Sequence, residues 1–193
     1  MIRVFEGIDI HREPWLRDQM LFHRADQFND RMRWGLKTDA FGREVDEFDA
    51  LRPTYIVCSG SYGEHLGSLR LLPTTGPTMV SEIFPELMPR EFAQEDALEC
   101  TRFCTTPDAP RHISAALFLA TLDYGMSRGL AGSYGIFNDK MLRVYKALGT
   151  PAEVVTSNGE IHVGWFAFDP ALRPELARKA RGEELHIKGR KAA

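Results

Sequence analysis

The most restrictive stretch of this sequence runs from residue 97 to residue 137, where a strand pattern, a long helix pattern and a second strand pattern follow with almost no linker. Within it, Ile113, Ala116, Leu117, Ala120 and Tyr124 recur at helical spacing over residues 109–128, and Gly129 supplies the stop. Residues 97–105 and 130–137 read as the flanking strands. Residues 2–5 alternate as a short strand. Residues 14–28 predict a helix, with Trp15, Met20, Phe22 and Phe28 as its apolar residues. Residues 54–58 and 65–72 predict a hairpin about the turn at residues 59–63, and residues 79–88 form a short segment bounded by prolines. After the long helix, residues 139–148 predict another, with Met141, Leu142, Tyr145 and Leu148 inward and Gly149 as its cap. Residues 154–156 and 161–168 close the pattern as a hairpin, for which Asn158-Gly159 predicts a type I′ turn. The order predicts one α/β domain over residues 1–193, a three-layer α-β-α sandwich with a mixed central sheet rather than a doubly wound parallel one.

Two segments stand outside that pattern. Residues 29–52 are highly charged and poor in aliphatic side chains, the composition of a long surface loop that is functional or mobile. The tail from residue 180 is polar and basic, and is expected to fray. A formal net charge of −3 gives no polycation for nucleic acid. The longest apolar run, residues 115–122, is far too short to cross a membrane, and Arg3, Glu6, Asp9 and His11 leave no apolar leader. Cys58, Cys100 and Cys104 are odd in number and lack metal-like spacing. Reduced thiols, a cytoplasmic location and no metal site are the expectation.

Three clusters have chemical potential. Arg24, Phe28 and Trp34 follow one another into the charged loop. An acidic run, Glu44-Val45-Asp46-Glu47-Phe48-Asp49, precedes the strand at residue 54. Glu99 and Arg102 share the strand from residue 97, with Arg70 on the preceding strand. Taken singly, each has an ordinary reading: a solvated helix charge, two core aromatics, a solvated acidic loop. Residues three apart on a regular strand also face opposite sides, which would separate Glu99 from Arg102.

Taken together, the residues resemble the LuxI family of acyl-homoserine-lactone synthases along most of the chain. The resemblance rests on Arg24-x3-Phe28-x5-Trp34, the acidic run at residues 44–49, Arg70-Leu71-Leu72-Pro73-Thr74-Thr75, Phe84-Pro85, and Glu99-Cys100-Thr101-Arg102-Phe103. It fades after Gly149. The element order also matches the N-acetyltransferase superfamily, so the resemblance implies an N-acetyltransferase-like fold.

The resemblance implies an enzyme that acylates the amine of S-adenosylmethionine from an acyl thioester and then closes a lactone, with S-adenosylmethionine a substrate and no cofactor. Arg24, Phe28, Trp34, Asp46 and Asp49 would bind S-adenosylmethionine, the aromatics through cation–π and stacking contacts and the acids by charge complementarity. A mobile segment of about residues 24–52 would close over it. Glu99 would act as general base, with Arg70 and Arg102 ordering the site. The acyl pocket would lie between sheet and long helix, lined by Met79, Phe84, Leu98, Phe103, Leu117, Gly135 and Tyr145. Gly135 offers no hydroxyl to a 3-oxo group, which favours an unsubstituted, hydroxylated or bulky chain. The donor would be acyl carrier protein or acyl-coenzyme A. Residues 106–111 contain no glycine for a pyrophosphate loop, which favours the carrier, and Arg111, Lys140, Arg143 and Lys146 would dock it. A nucleophilic Cys100 or Cys104 is the rival mechanism, weakened by the absence of an adjacent His. The rival functions are an N-acyltransferase for another amine and a non-catalytic binding homologue.

Overall fold

The computed structural model describes residues 1–181. Strands β1 (Ile2–Glu6), β2 (Thr54–Ser59), β3 (His65–Pro73), β4 (Ala97–Thr105), β5 (Gly132–Asn138), β6 (Glu153–Ser157) and β7 (Ile161–Ala167) build one sheet in the order β1-β2-β3-β4-β5-β7-β6. β4 and β5 are parallel because the helix between them has to cross over a face of the sheet; the other neighbours are antiparallel. The helices are α1 (Pro14–Ala25), α2 (Met79–Ile83), α3 (His112–Ser127), α4 (Asp139–Leu148) and α5 (Arg173–Ala180). Of the expected frayed tail, Ala180 closes α5, and residues 182–193 lie outside the described residues.

The period of two along the strands divides the core into two faces. On one face, Tyr55 and Val57 meet Leu16, Met20 and Leu21 of α1. On the other, Ile56, Cys58, Leu69 and Leu71 meet Ile113 and Leu117 of α3. An aromatic cluster of Phe118, Phe137, Tyr145 and Phe166 continues that second layer, with Leu122 and Leu176 beside it. The expected three layers and mixed sheet are present.

Several local expectations change. Trp15 and Phe22 are exposed, because the stripe of α1 that meets the sheet is Leu16, Met20 and Arg24 with Leu21 and Ala25. The α1 pattern ends in a wider π turn over Asp26–Arg31, which carries Phe28 inward. The loop after β6 is not a type I′ turn. Gly159 takes a positive φ of 96° but Asn158 does not, and Asn158 Oδ1 instead accepts from the backbone of Glu160 and Ile161. Helix α5, unread in the sequence, buries Leu176 beneath α3.

Two features of β4 create the site. Arg70 pairs with Thr101 but Ser68 pairs with Cys104, so Arg102 and Phe103 together oppose Leu69 in a β-bulge. Arg102 takes φ 53°, a position such bulges normally give to glycine. The bulge breaks the alternation, and Glu99 and Arg102, expected on opposite faces, both reach Met79. Second, β4 pairs with β5 only from Ala97 to Cys100, whereas β5 pairs with β7 along its whole length. Beyond Cys100 the sheet therefore has a gap.

A left-handed backbone costs an L-residue about 1–2 kcal/mol. Arg102→Gly should therefore retain about 1 kcal/mol more stability than Arg102→Ala in urea unfolding, though both lose the guanidinium. Equal midpoints would show that the bulge stores no strain.

Candidate active site

Three arginines and three carboxylates interlock on the α1 face of β3 and β4. Arg24 reaches Glu44 Oε2 with Nη2 at 2.5 Å and Asp49 Oδ1 with Nη1 at 2.9 Å. Arg70 donates to both oxygens of Asp46, at 2.5 and 2.9 Å, and to Asp49 at 2.8 Å. Arg102 reaches Glu44 at 2.9 Å and Asp46 at 2.8 Å. Within hydrogen-bond distance each arginine spans two acids and each acid two arginines, and Arg24 Nη2 also lies 3.8 Å from Asp46 Oδ2. Arg24, Arg70 and Glu44 are at most 1% exposed. Losing one partner from such a buried set costs ~3–5 kcal/mol, because the remaining charge is stranded.

Local structure presents the acids. Asp46 caps a 3-10 turn over Glu47–Leu51: its Oδ1 accepts from the amides of Phe48 and Asp49, and Asp49 Oδ2 accepts from the Asp46 amide. This reciprocal box places both carboxylates facing β3. Tyr55 donates to Asp49 at 2.5 Å and Thr101 accepts from Arg70 at 3.0 Å. Burial alone would raise the Asp49 carboxyl, but the Arg24 and Arg70 guanidiniums overcome it and hold it far below the usual carboxylate range.

Glu99 is fully buried and accepts from the amides of Met79 at 2.9 Å and Val80 at 2.7 Å, the first amides of α2. Burial raises its carboxyl above the ordinary value; the two amides pull the other way and do not cancel it. Arg102 lies 5.4 Å from the Phe28 ring, and Phe28 stacks on the half-exposed Trp34 at 5.0 Å and 19°.

A cavity of about 330 Å³ passes through the gap between β4 and β5. Its α1-side end is bounded by Phe28, Arg31, Trp34, Met79, Thr101 and Arg102; its far end by Phe103, Phe118, Gly135, Phe137, Tyr145 and Phe166. One end is thus cationic and stacked, the other aromatic. On that edge, the backbone of β4 beyond Cys100 faces the cavity instead of a strand.

Of the acyl-pocket residues expected from the sequence, Met79, Phe103, Gly135 and Tyr145 line the cavity. Leu98, Leu117 and Phe84 do not. Leu98 and Leu117 pack in the α3 core, and Phe84 packs beside Phe48, Leu72 and Met79. Phe118 of α3 and Phe137 and Phe166 of β5 and β7 were missed, because which residues face the cavity depends on where the sheet parts. Glu44, named only within the acidic run, proves central. The Asp46-x-x-Asp49 spacing and the placement of Arg24 in an apolar helical stripe were the available signals. Asp46, Asp49 and Glu99 do not line the cavity. Residues 29–52 are not simply solvated: Glu44 and Phe48 are buried, and Asn29 fastens Leu36 through two hydrogen bonds. Arg111, Lys140, Arg143 and Lys146 are all exposed. All three cysteines are free, and burial holds their thiols protonated, with Cys100 pushed up to about 12. Among the described residues no group of His, Cys, Asp or Glu is placed to hold a metal ion.

A second buried polar chain ties α1 to β3. His23 Nδ1 lies 2.9 Å from His65 Nδ1, His65 Nε2 lies 3.0 Å from Ser68 Oγ, and Ser68 Oγ lies 3.7 Å from Cys104 Sγ. Burial, and then His23, lowers the His65 pKa to about 3.

A mixed sheet parted beside its parallel pair, with a cavity through the gap, defines an N-acyltransferase fold. An acyl-CoA N-acyltransferase from Pseudomonas aeruginosa superposes on it with a TM-score of 0.60, covering 86% of this chain and 99% of its own at 16% identity. Within that class, the profile described as Autoinducer synthase matches residues 10–163, and the chain belongs to that family. An acyl-homoserine-lactone synthase of Rhizobium etli is 34% identical over 171 residues, 83% of this chain and 80% of its own length. One from Agrobacterium fabrum is 32% identical over 143 residues, 69% of this chain and 67% of its own. Among solved structures, the CoA-dependent acyl-homoserine lactone synthase BjaI, with MTA, has a TM-score of 0.82, covering 94% of this chain and 89% of its own at 21% identity. TofI, in a ternary complex with an inhibitor and MTA, has a TM-score of 0.73 and 24% identity, covering 92% of this chain and 96% of its own.

The buried His65 sets an acid-dependent stability term. Its folded pKa lies below the ordinary histidine value of about 6.5, so the unfolded chain takes up a proton that the folded protein refuses. That contribution is complete above pH ~6.5 and is lost as pH falls toward about 3. Glu99, shifted upward, works in the opposite direction, and Asp49 acts only below pH ~4. The comparison with His65→Gln isolates the histidine. Between pH 7 and pH 5 the wild type should lose more unfolding free energy than the variant, and parallel losses in urea titrations would contradict a buried neutral His65.

Proposed function

We infer that this protein is an acyl-homoserine-lactone synthase. It transfers an acyl group from a thioester to the amine of S-adenosylmethionine, and the acylated intermediate closes to a lactone with release of methylthioadenosine. Family membership and the names of the relatives support this reading. The structural observation that carries it is the two-ended cavity through the β4–β5 gap, which suits a charged nucleoside amino acid at one end and an acyl chain at the other.

The Phe28–Trp34 stack offers π faces to the sulfonium and adenine, contacts worth ~0.5–2 kcal/mol. Arg31 and Arg102 present guanidiniums at the same end, suited to the substrate carboxylate. The three arginines and three carboxylates balance, so Arg24, Arg70, Glu44, Asp46 and Asp49 act by holding Arg102 and the residues 26–52 in place. That segment closes the α1 end of the cavity as a substrate cover.

Glu99 takes the ammonium proton through a water, since its neighbours Met79 and Thr101 line the cavity while its own carboxylate lies behind them. A buried carboxylate with a raised pKa is a stronger base than an exposed one, and positioned bases contribute ~10²–10⁴-fold. The freed nitrogen attacks the thioester carbonyl, the unpaired edge of β4 stabilises the oxyanion, and the thiol of the carrier leaves. The substrate carboxylate then displaces methylthioadenosine from the γ-carbon. That step is intramolecular, so holding one conformer supplies most of its catalysis. Cys100 and Cys104, held as thiols, serve as wall residues.

The donor is an acyl carrier protein or acyl-coenzyme A. The glycine-free residues 106–111 and the exposed Arg111, Lys140, Arg143 and Lys146 favour the acidic carrier protein. Among the described residues no helix is long and apolar enough to cross a membrane; with its free cysteines, the protein suits the cytoplasm.

Mass spectrometry of extracts from expressing cells tests the reading directly. A homoserine-lactone fragment absent from the empty-vector control is expected. Acylation of another amine without methylthioadenosine would instead make the protein an ordinary N-acyltransferase. Within the reaction, Glu99→Gln should lower kcat by ~10²-fold or more with little change in the KM for S-adenosylmethionine. Trp34→Ala should raise that KM with a smaller effect on kcat. Steady-state release of methylthioadenosine separates the two, and an unchanged kcat in Glu99→Gln would remove Glu99 from the chemistry.

A further inference from the structure

The aromatic end of the cavity is closed by a thin partition. Cys100, Phe118 and Phe166 line both the 330 Å³ cavity and a second void of about 20 Å³ beneath α5. The far walls of that void are Leu122, Ser133, Thr150, Phe168, Leu172 and Leu176. Phe166 stands edge-on to Tyr145, with ring centres 4.9 Å apart and planes at 87°, and lies 6.3 Å from Phe118.

Two facing glycines make room for Phe166 and for its neighbour Phe137. Gly135 on β5 pairs directly with Gly164 on β7, so both lack side chains on the same face. A Cβ at Gly135 would come 2.9 Å from Phe166 Cε2, and one at Gly164 would come 2.6 Å from Phe137 Cζ. Neither contact is sterically possible without displacing the ring. The missing side chains therefore allow the two rings to lie against the sheet, and Phe166 becomes the floor of the cavity.

We propose that Phe166, seated on Gly135, sets the upper length of the acyl chain this enzyme transfers. The proposal rests on the acyl-homoserine-lactone reading above and names its substrate class: short, straight acyl thioesters. The whole cavity is about twice the ~150 Å³ of an engineered cavity that accepts benzene, and the α1 end is needed for the amine substrate. The aromatic end therefore holds a chain on the order of four to eight carbons. Beyond that length the terminal methyl meets the Phe166 ring. Past the ring the void under α5 adds little space by itself, but truncating Phe166 would join it to the cavity and lengthen the pocket toward Leu172 and Leu176.

The test measures methylthioadenosine release with straight-chain acyl thioesters of increasing length, on coenzyme A and on acyl carrier protein. Wild-type kcat/KM should fall by about tenfold or more once the chain passes the floor, the discrimination that hydrophobic pockets give per methylene. Phe166→Ala, and the milder Phe166→Leu as the variant more certain to fold, should move that break to longer chains. Gly135→Ala adds a methyl to the wall and crowds the ring, so its break should move to shorter chains. Folded Phe166 variants and Gly135→Ala that keep the wild-type length profile would overturn the proposal. Wild-type protein that releases no methylthioadenosine from any donor would instead overturn the functional reading beneath it.

Discussion

Six charges packed between α1, β3 and β4 hold the working half of this molecule together. Arg24, Arg70 and Arg102 come from a helix and two strands, whereas Glu44, Asp46 and Asp49 come from one short stretch of chain. That asymmetry matters. The acids belong to a segment with little apolar side-chain area of its own, and the arginines fasten it to the rigid sheet. Each charge is desolvated, so the set is tolerable only while complete. The network is therefore cooperative: the acid segment either docks with all its partners or leaves buried guanidiniums stranded. A hydrophobic contact of the same area would be as strong, but it would not fix orientation so narrowly, since guanidinium and carboxylate planes must match.

The cavity follows from how β4 manages two neighbours. Along β3 it must absorb an extra residue, and along β5 it must part company after Cys100. The bulge turns Arg102 toward the acids and to within cation–π distance of Phe28, at the cost of a left-handed arginine. Such strain persists where the surroundings over-determine it, and here four contacts do so: Glu44, Asp46, Phe28 and Met79. The parting exposes the inner edge of β4 to the cavity. One strand thus supplies a charged end and an aromatic end without any change of element.

Glycine and aromatic residues are complementary on the far side. Gly125 on α3 accommodates Phe168 just as Gly135 accommodates Phe166 and Gly164 accommodates Phe137, since a Cβ at any of these positions would strike a ring. The layer under α3 and α5 is consequently dense in rings and leaves its free space in the β4–β5 gap rather than scattered through the core.

The sequence alone determined what depends on near neighbours. The limits of β4 and α4 follow from pattern, Gly149 takes the positive φ of a helix cap as its position implied, and the order of strands and helices excluded a doubly wound sheet. The residue types at the heart of the site were legible too, as spaced motifs, though not the pairing of each arginine with its acids. Tertiary structure decided that pairing, because Arg102 and Glu44 lie 58 residues apart and no local rule joins them. It also decided which side chains face the cavity. Residues such as Leu98, Leu117 and Phe84 have the composition of a pocket, yet they became core because the opening is centred on the gap between β4 and β5, which α3 reaches only through Ser114 and Phe118. A bulge of one residue reverses every side chain after it, and a gap between strands is a relation between two distant segments. Neither is written in the hydrophobic period of either segment.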